Sequence, residues 1–378
     1  MQTRTVRDTL QQASTTLNKK GLKMHIALAY NLRAQVPAVA GEQPSEPPDE
    51  PDDLYAEWDD LETIQAVAAA LAEQHRVSLV PADLEAFDAF RKLRPDLVFN
   101  IAEGLYGPGR EGQLPSLLDM LQIPYTGSDP VVLGLCLDKA RTKEILAYHD
   151  VPTPRFRLMS CAEELPATMA FPLMVKPVGE GSGKGITDRS LVRTPAELQH
   201  QLARVLDTYR QPALVEEFLA GREFTVAMIG NGDDLRVLPI VEIDFSSLPA
   251  GANPVYSYEA KWIWDQAEAP LQIFHCPAPL DPLLQHAIES VCLKAFRVLG
   301  CRDWCRIDVR LDGAGRPNII EVNPLPGVLP RPEQNSCFPK AVRAAGLSYP
   351  QMIQAVVDAA CYRLGLAEEA SHACCGLL

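Results

Sequence analysis

The sequence has no apolar run approaching the ~20 residues that carry a helix across a bilayer, and it has no surplus of positive charge. Its 378 residues hold 35 Lys and Arg against 49 Asp and Glu, a formal net charge of -14. Nucleic acid and anionic membranes reward basic surfaces, so neither is expected as a partner. Any phosphate must then be gripped by local groups of basic residues. The ten cysteines lack the even, short spacing of a disulfide framework and no secretory leader is evident, which points to a reducing cytoplasm. Cys301 and Cys305 have no His-x-x-x-His partner and are read as packed thiols, not half a zinc site. The final Cys375-Gly376-Leu377-Leu378 fits a prenylation box in form, yet no polybasic stretch precedes it, and a frayed tail is the better reading.

What is present suits a soluble globular protein of two or three domains: hydrophobic residues make up 47% and charged ones 22%. Residues 1–23 are polar with little periodicity and read as a mobile leader, with Met24 as an alternative start. His25 to Tyr30 reads as a buried strand. Val36 to Asp53 is so rich in Pro, Glu and Asp that a flexible surface loop is expected. Leu61, Ile64, Val67, Ala68 and Leu71 recur at helical spacing, and Val77 to Val80 and Leu97 to Ile101 read as strands. This alternation predicts an α/β domain with a mostly parallel sheet, whose ligands gather beyond the carboxyl ends of the strands. Glu103 to Gly112 lies there. Glu103, Arg110 and Glu111 suit the ammonium and carboxylate of an amino acid, or else they are solvated charges on a tight glycine loop.

Further on, a helix carries Asp138-Lys139, and Val151-Pro152-Thr153-Pro154 reads as an extended linker. Leu173 to Lys176 is a strand that runs through Pro177 into Gly179-Glu180-Gly181-Ser182-Gly183-Lys184-Gly185. Converging backbone N–H groups and the Ser182 and Lys184 side chains suit an anion. A Walker A loop is excluded, because Gly185 follows Lys184 where Ser or Thr is required. Ala213 to Phe218 is a strand ending in carboxylates, and a strand from Glu223 pairs with Leu235 to Ile243. A long connection, Pro254 to Pro270, precedes a helix over 281–299.

Near the end, Arg306 to Leu311 and Asn318 to Val322 flank the turn Asp312-Gly313-Ala314-Gly315 and read as a β-hairpin. Side chains two apart share a strand face, so Arg306 goes with Asp308 and Glu321 with Asn323. Two carboxylates and an amide oxygen suit a hard ion such as Mg²⁺ or Mn²⁺; a surface ion-pair ladder is the plainer alternative. A final helix is capped by Ser348, with Met352, Ile353, Val356, Val357, Ala360 and Leu364 on its buried side.

The ordered run M-V-K-P-V-G-E-G-S-G-K-G, V-E-E-F-L-A-G-R-E-F-T-V, R-I-D-V and E-V-N-P-L-P-G resembles the ATP-grasp ligases, and within them the D-alanine:D-alanine ligases, over roughly residues 95 to 365. The resemblance implies a three-domain ATP-grasp fold, α/β and α+β: an N-terminal parallel sheet over 24–137, a central lid over 138–230 and a C-terminal metal-site subdomain over 231–366, with 367–378 as a tail. It implies ATP and Mg²⁺, with Lys139, Lys176, Gly181, Ser182 and Gly183 on the phosphates. Glu216, Glu217, Phe218 and Leu219 would lie along the adenine and Glu223 on the ribose, with Asp308, Glu321 and Asn323 on the metal. Tyr258-Glu259-Ala260-Lys261-Trp262 resembles the mobile loop that shuts such sites, which gives Lys261 a catalytic place beside Arg306 and the Gly327 N–H. The implied reaction joins an amino acid or other carboxylate to an amine through an acyl phosphate. The implied assembly is a homodimer, and a kinase-like or non-catalytic nucleotide-binding protein is the alternative. Three departures fall on the amino-acid pockets: Tyr30-Asn31-Leu32-Arg33 where the family has a Gly-Gly loop, no histidine in Glu103 to Gly112, and Val328 to Gln334 where a Ser-Leu pair is expected.

Overall fold

A computed structural model describes residues 23–33, 53, 55–161, 169–264 and 271–366. Residues 1–22 of the leader, the tail, all of the Pro-rich stretch before Asp53 and residues 265–270 of the long connection lie outside the described residues.

The first sheet has strand order β2-β1-β3 and is parallel: β1 (His25–Tyr30), β2 (Arg76–Pro81) and β3 (Leu97–Asn100). β1 is apolar at almost every position because helices cover both of its faces. α1 (Leu61–Ala72) starts at Asp60, whose carboxylate accepts from the Thr63 N–H. Ile64, Val67 and Leu71 are buried as their spacing predicts, but Leu61, expected among them, is 53% exposed in the first turn. α2 (Ala86–Leu93) joins β2 to β3. Next comes α3 (Arg110–Leu121), a helix masked in the sequence by Gly112 and Pro115. Gly112 lies so close to the next helix that a Cβ would stand 2.8 Å from Pro130 O.

The single helix expected around Asp138-Lys139 is two, α4 (Pro130–Leu137) and α5 (Lys139–Tyr148). Asp138 breaks them: its backbone is extended, and its carboxylate accepts from the Ala140 and Arg141 N–H groups. Lys139 is therefore the first residue of a helix and not a mid-helix lysine.

The second sheet is antiparallel, order β4-β7-β5-β6, built from β4 (Phe156–Met159), β5 (Leu173–Pro177), β6 (Leu191–Val192) and β7 (Ala213–Glu217). α6 (Pro195–Tyr209) packs Leu198, Leu202 and Val205 against Leu173, Val175 and Val215. The third sheet runs β11-β10-β8-β12-β13, with β9 also on β8: β8 (Glu223–Ile229), β9 (Arg236–Val237), β10 (Val241–Ile243), β11 (Phe274–His275), β12 (Trp304–Leu311) and β13 (Pro317–Asn323). The strand expected from Leu235 to Ile243 is split into β9 and β10, since Pro239 has no N–H to carry the ladder on.

Alternation along β8 divides the interior. Phe224, Val226 and Met228 join the core that includes α7 (Pro282–Leu299), while Ala227 and Ile229 join the one holding α8 (Cys337–Ala344) and α9 (Tyr349–Leu364). That second core also contains Ile26 and Leu28 of β1 and Ile64, Val67 and Leu71 of α1. Trp304 joins them, fully buried and edge-on to Phe99 and Phe338, each ring centre at 5.7 Å. Beside it the Asp303 carboxylate, with no exposure, accepts from Arg363 Nε and Nη2 at 2.8 Å each, the Gly127 N–H at 2.8 Å and Asn231 Nδ2 at 2.9 Å. Ser348 caps α9 in a reciprocal box with Gln351, as its position predicts. Cys301 and Cys305 are packed in the α7 core. Among the described residues no helix is long and apolar enough to cross a membrane.

Candidate active site

The three sheets meet around a cleft of about 320 Å³. Its floor is the β12–β13 hairpin, in which Arg306 faces Asn323 and Asp308 faces Glu321. Register shifts just beyond Asp308, so Ile320 and Glu321 both reach the cleft. Arg306 donates to both Asp308 oxygens, at 3.1 and 3.0 Å, and Asn323 Nδ2 lies 3.4 Å from one of them. Lys139 closes on Glu321 at 2.8 Å and donates to Glu180 O of the glycine loop. Burial alone would raise Glu321, but Lys139, Lys176 and Arg306 outweigh it and hold the carboxyl down to about 2.

Above the floor, Lys176 at the end of β5 bonds Glu216 of β7 at 2.7 Å, and the other Glu216 oxygen takes Lys143 of α5 at 2.9 Å. All three side chains are at least nine-tenths buried. Burial pulls Lys143 down to about 8 against the attraction of Glu216, while the two lysines keep Glu216 low despite its burial. Glu217 turns outward to Arg155 at 2.6 Å. The N–H groups of Glu217 and Phe218 are taken up by Arg155 O and Pro172 O, while Phe218 and Leu219 line the cleft. Glu223 pairs with Arg310 at 2.7 Å.

The glycine loop is closed from the N-terminal side. Glu57, which sequence reading did not single out, accepts from the Gly181 N–H at 2.7 Å, from Arg110 at 2.6 and 3.2 Å and from Lys184 at 3.2 Å. A Cβ on Gly181 would stand 2.6 Å from that carboxylate, so the approach requires glycine. Asp53, the last residue of the expected surface loop, is buried and accepts from the Gly185 N–H and the Tyr209 hydroxyl at 2.9 and 2.8 Å. Ser182 and Gly183 line the cleft, and both have positive φ.

Of the three residues expected on an amino acid, Glu103 and Glu111 line the cleft. Arg110 is instead turned into the wall, spent on Glu57, Gly179 O and Glu180. Burial, then the neighbouring Glu57, pushes Glu111 up to about 8; burial with Glu57 and Glu111 pushes Glu103 well above the carboxylate range. Lys261 also lines the cleft, on a π-helical turn (Glu259–Trp264) where an irregular connection was expected. Burial and the Arg306 charge bring it down to about 8. Gly327 lies at the far rim, its carbonyl accepting from Ser336 Oγ at 3.3 Å, with Ser336 and Cys337 beside it.

Residues 145–358 match the family model described as D-ala D-ala ligase C-terminus. The chain belongs to the D-alanine:D-alanine ligase family. It is 33% identical over 318 residues to a D-alanine:D-alanine ligase of Pelotomaculum thermopropionicum, covering 81% of this chain and 93% of that protein. It is 36% identical over 270 residues to one of Bordetella petrii, 70% and 76% of the two chains. An uncharacterised protein of Sinorhizobium fredii, y4sG, is 34% identical over 312 residues, 80% of this chain and 88% of that one. In fold, a D-alanine:D-alanine ligase from Bacillus anthracis solved with ATP superposes with a TM-score of 0.66 at 21% identity, over 92% of this chain and 100% of that one.

Directly after Gly327 the chain has Val328-Leu329, not a Ser-Leu pair. After an eight-residue excursion, 328–335, it brings Ser336 and Cys337 to the cleft.

Proposed function

We propose that this cleft uses ATP to activate a carboxylate and joins it to an amine. A carboxylate is a poor electrophile because its charge repels nucleophiles. Attack of its oxygen on the γ-phosphorus breaks the bond to ADP and makes an acyl phosphate. The amine nitrogen then attacks the acyl carbon, phosphate leaves, the nitrogen loses a proton and an amide remains. The observation that carries this reading is the convergence of Arg306, Asp308, Glu321 and Asn323 with Lys139, Lys176 and the glycine loop around one cleft.

Phosphoryl transfer needs mainly positioning and charge neutralisation. Lys139, Lys176 and the loop supply both, and Glu216 fixes the Lys176 ammonium through an ion pair of 2.7 Å. Asp308, Glu321 and Asn323 fit Mg²⁺: they are hard oxygen groups facing one another, two of them already neutralised by cations, Arg306 and Lys139. Bound there, Mg²⁺ would offset phosphate charge. Arg306 and the Gly327 N–H are placed to receive the charge that grows on the acyl oxygen. The π-helical turn carrying Lys261 would exclude water, which otherwise competes with the amine.

The test is Asp308→Asn. Turnover that depends on Mg²⁺ and ATP should fall by at least about a hundredfold with far-ultraviolet circular dichroism unchanged; unaltered turnover would remove the metal assignment. A screen of amino acids and small carboxylates for stimulated ADP release, with mass spectrometry of the product, identifies the substrates.

Amino acids are the class that Glu103 and Glu111 favour, because an ammonium relieves their mutual repulsion. KM for the ammonium-bearing substrate should fall as pH rises through about 8, where Glu111 ionises, and kcat should fall over the same range as Lys261 loses its charge. Initial rates measured across that interval would show the opposed trends; parallel ones would argue against both roles. The buried free thiols of Cys136, Cys292, Cys301, Cys305 and Cys361 support a reducing compartment. The division at about residues 138 and 231 and a homodimer complete the reading; limited proteolysis and sedimentation test them.

A further inference from the structure

Arg306, Asp308 and Arg310 share one face of β12 and line the cleft, and the last of them stands over Phe218, which packs with Met174, Ile186 and Val255 to wall one slot of it. The Arg310 side chain is 7% exposed. Its Nη1 binds Glu223 at 2.7 Å and its Nη2 donates to Pro254 O at 3.0 Å. The guanidinium lies over the Phe218 ring at 4.4 Å and near that of Phe245 at 5.2 Å. Its Nε is buried with no hydrogen-bond partner among the described residues. So buried a cation, held by one carboxylate, one carbonyl and two rings, is costly to keep unless it has work in the slot.

Resting on the nucleotide reading above, we propose that Arg310 is a specificity-determining residue for the sugar of the nucleotide. By taking one oxygen of Glu223, it fixes that carboxylate so that the other faces the ribose hydroxyls as a directed acceptor. By stacking on Phe218 and tying Pro254, it sets the width of the slot on the base side. A guanidinium does this where a lysine does not: its planar fork reaches Glu223 and Pro254 O together while its face lies on the ring.

The experiment compares ATP, 2′-deoxy-ATP and 3′-deoxy-ATP as substrates of the wild type, Arg310→Met and Arg310→Lys, with thermal melting of each. Wild type should prefer ATP to at least one deoxy analogue by about tenfold or more in kcat/KM. Arg310→Met should raise KM for ATP about tenfold, leave kcat within about threefold and reduce that preference to near unity. Arg310→Lys should recover part of the preference without recovering KM. An unchanged preference in Arg310→Met, or equal losses for all three nucleotides, overturns the proposal. Should Arg310→Met not fold, Arg310→Lys decides alone: a preference and KM both like wild type would overturn it. Failure of the wild type to turn over any nucleotide would sink the underlying function instead, so the two outcomes are distinct.

Discussion

Arg306→Met is expected to lower kcat by about 10²–10³-fold, or about 2.7–4 kcal/mol of barrier, with KM for ATP changed far less. The side chain is partly buried, and burial alone would make its charge costly; Asp308 outweighs this and keeps the guanidinium firmly protonated. Its charge is therefore present at every working pH and needs no reorganisation when the acyl oxygen becomes negative. That charge appears only as the amine attacks, which places the loss in kcat and not in ground-state binding. Arg306→Lys should retain part of the rate, because an ammonium supplies charge but cannot hold both Asp308 oxygens through two N–H groups and keep another for the acyl oxygen. The informative measurement is single-turnover chemistry with saturating substrates. If Arg306→Met lost affinity for nucleotide while its chemical step stayed fast, the residue would belong to phosphate binding and not to the acyl centre.

The second large effect falls on stability. Asp303→Ala should cost about 3–5 kcal/mol, read as a shift of the urea midpoint at unchanged slope. The carboxylate has no exposure and gathers three partners from distant parts of the chain: the Gly127 turn, Asn231 after β8, and Arg363 of α9. Truncating it leaves the Arg363 charge with only the Tyr125 carbonyl as acceptor and the Gly127 N–H with none, which is worse than losing the pair together. Asp303→Ala combined with Arg363→Leu should accordingly be less damaging than the sum of the two changes, since the stranded charge is gone. Strict additivity would mean that the two residues act separately.

The hairpin floor was legible because strand period is exact over a few residues: Arg306, Asp308, Glu321 and Asn323 fall on one face by counting in twos, and the structure brings them together. Counting one step further would have reached Arg310, which shares that face. The glycine loop and the strand ending in Lys176 were legible for a similar local reason. Lys143 was not, since a lysine one turn beyond Lys139 on a helix carries the same sequence signal as a solvated one. Only the fold of β7 against α5 buries it on Glu216. Glu57 and Asp53 were hidden by composition, lying at the end of an acidic, Pro-rich run that says little about where its last residues dock. Arg110 shows the reverse error: its position after β3 suggested a ligand, but its partner Glu57 arrives from a segment 53 residues earlier.

The apolar core shared by β1, α1 and α9 has a consequence for how the chain is made. Ile26 and Leu28 leave the ribosome more than three hundred residues before Met352, Val356 and Val357, against which that core is completed. The parallel sheet can pair its strands early and take α1 onto one face, but part of that face stays bare until α9 has been made. A nascent chain stalled before α9 should thus hold chaperones and yield to proteases at this sheet, although every residue of the sheet has already been synthesised.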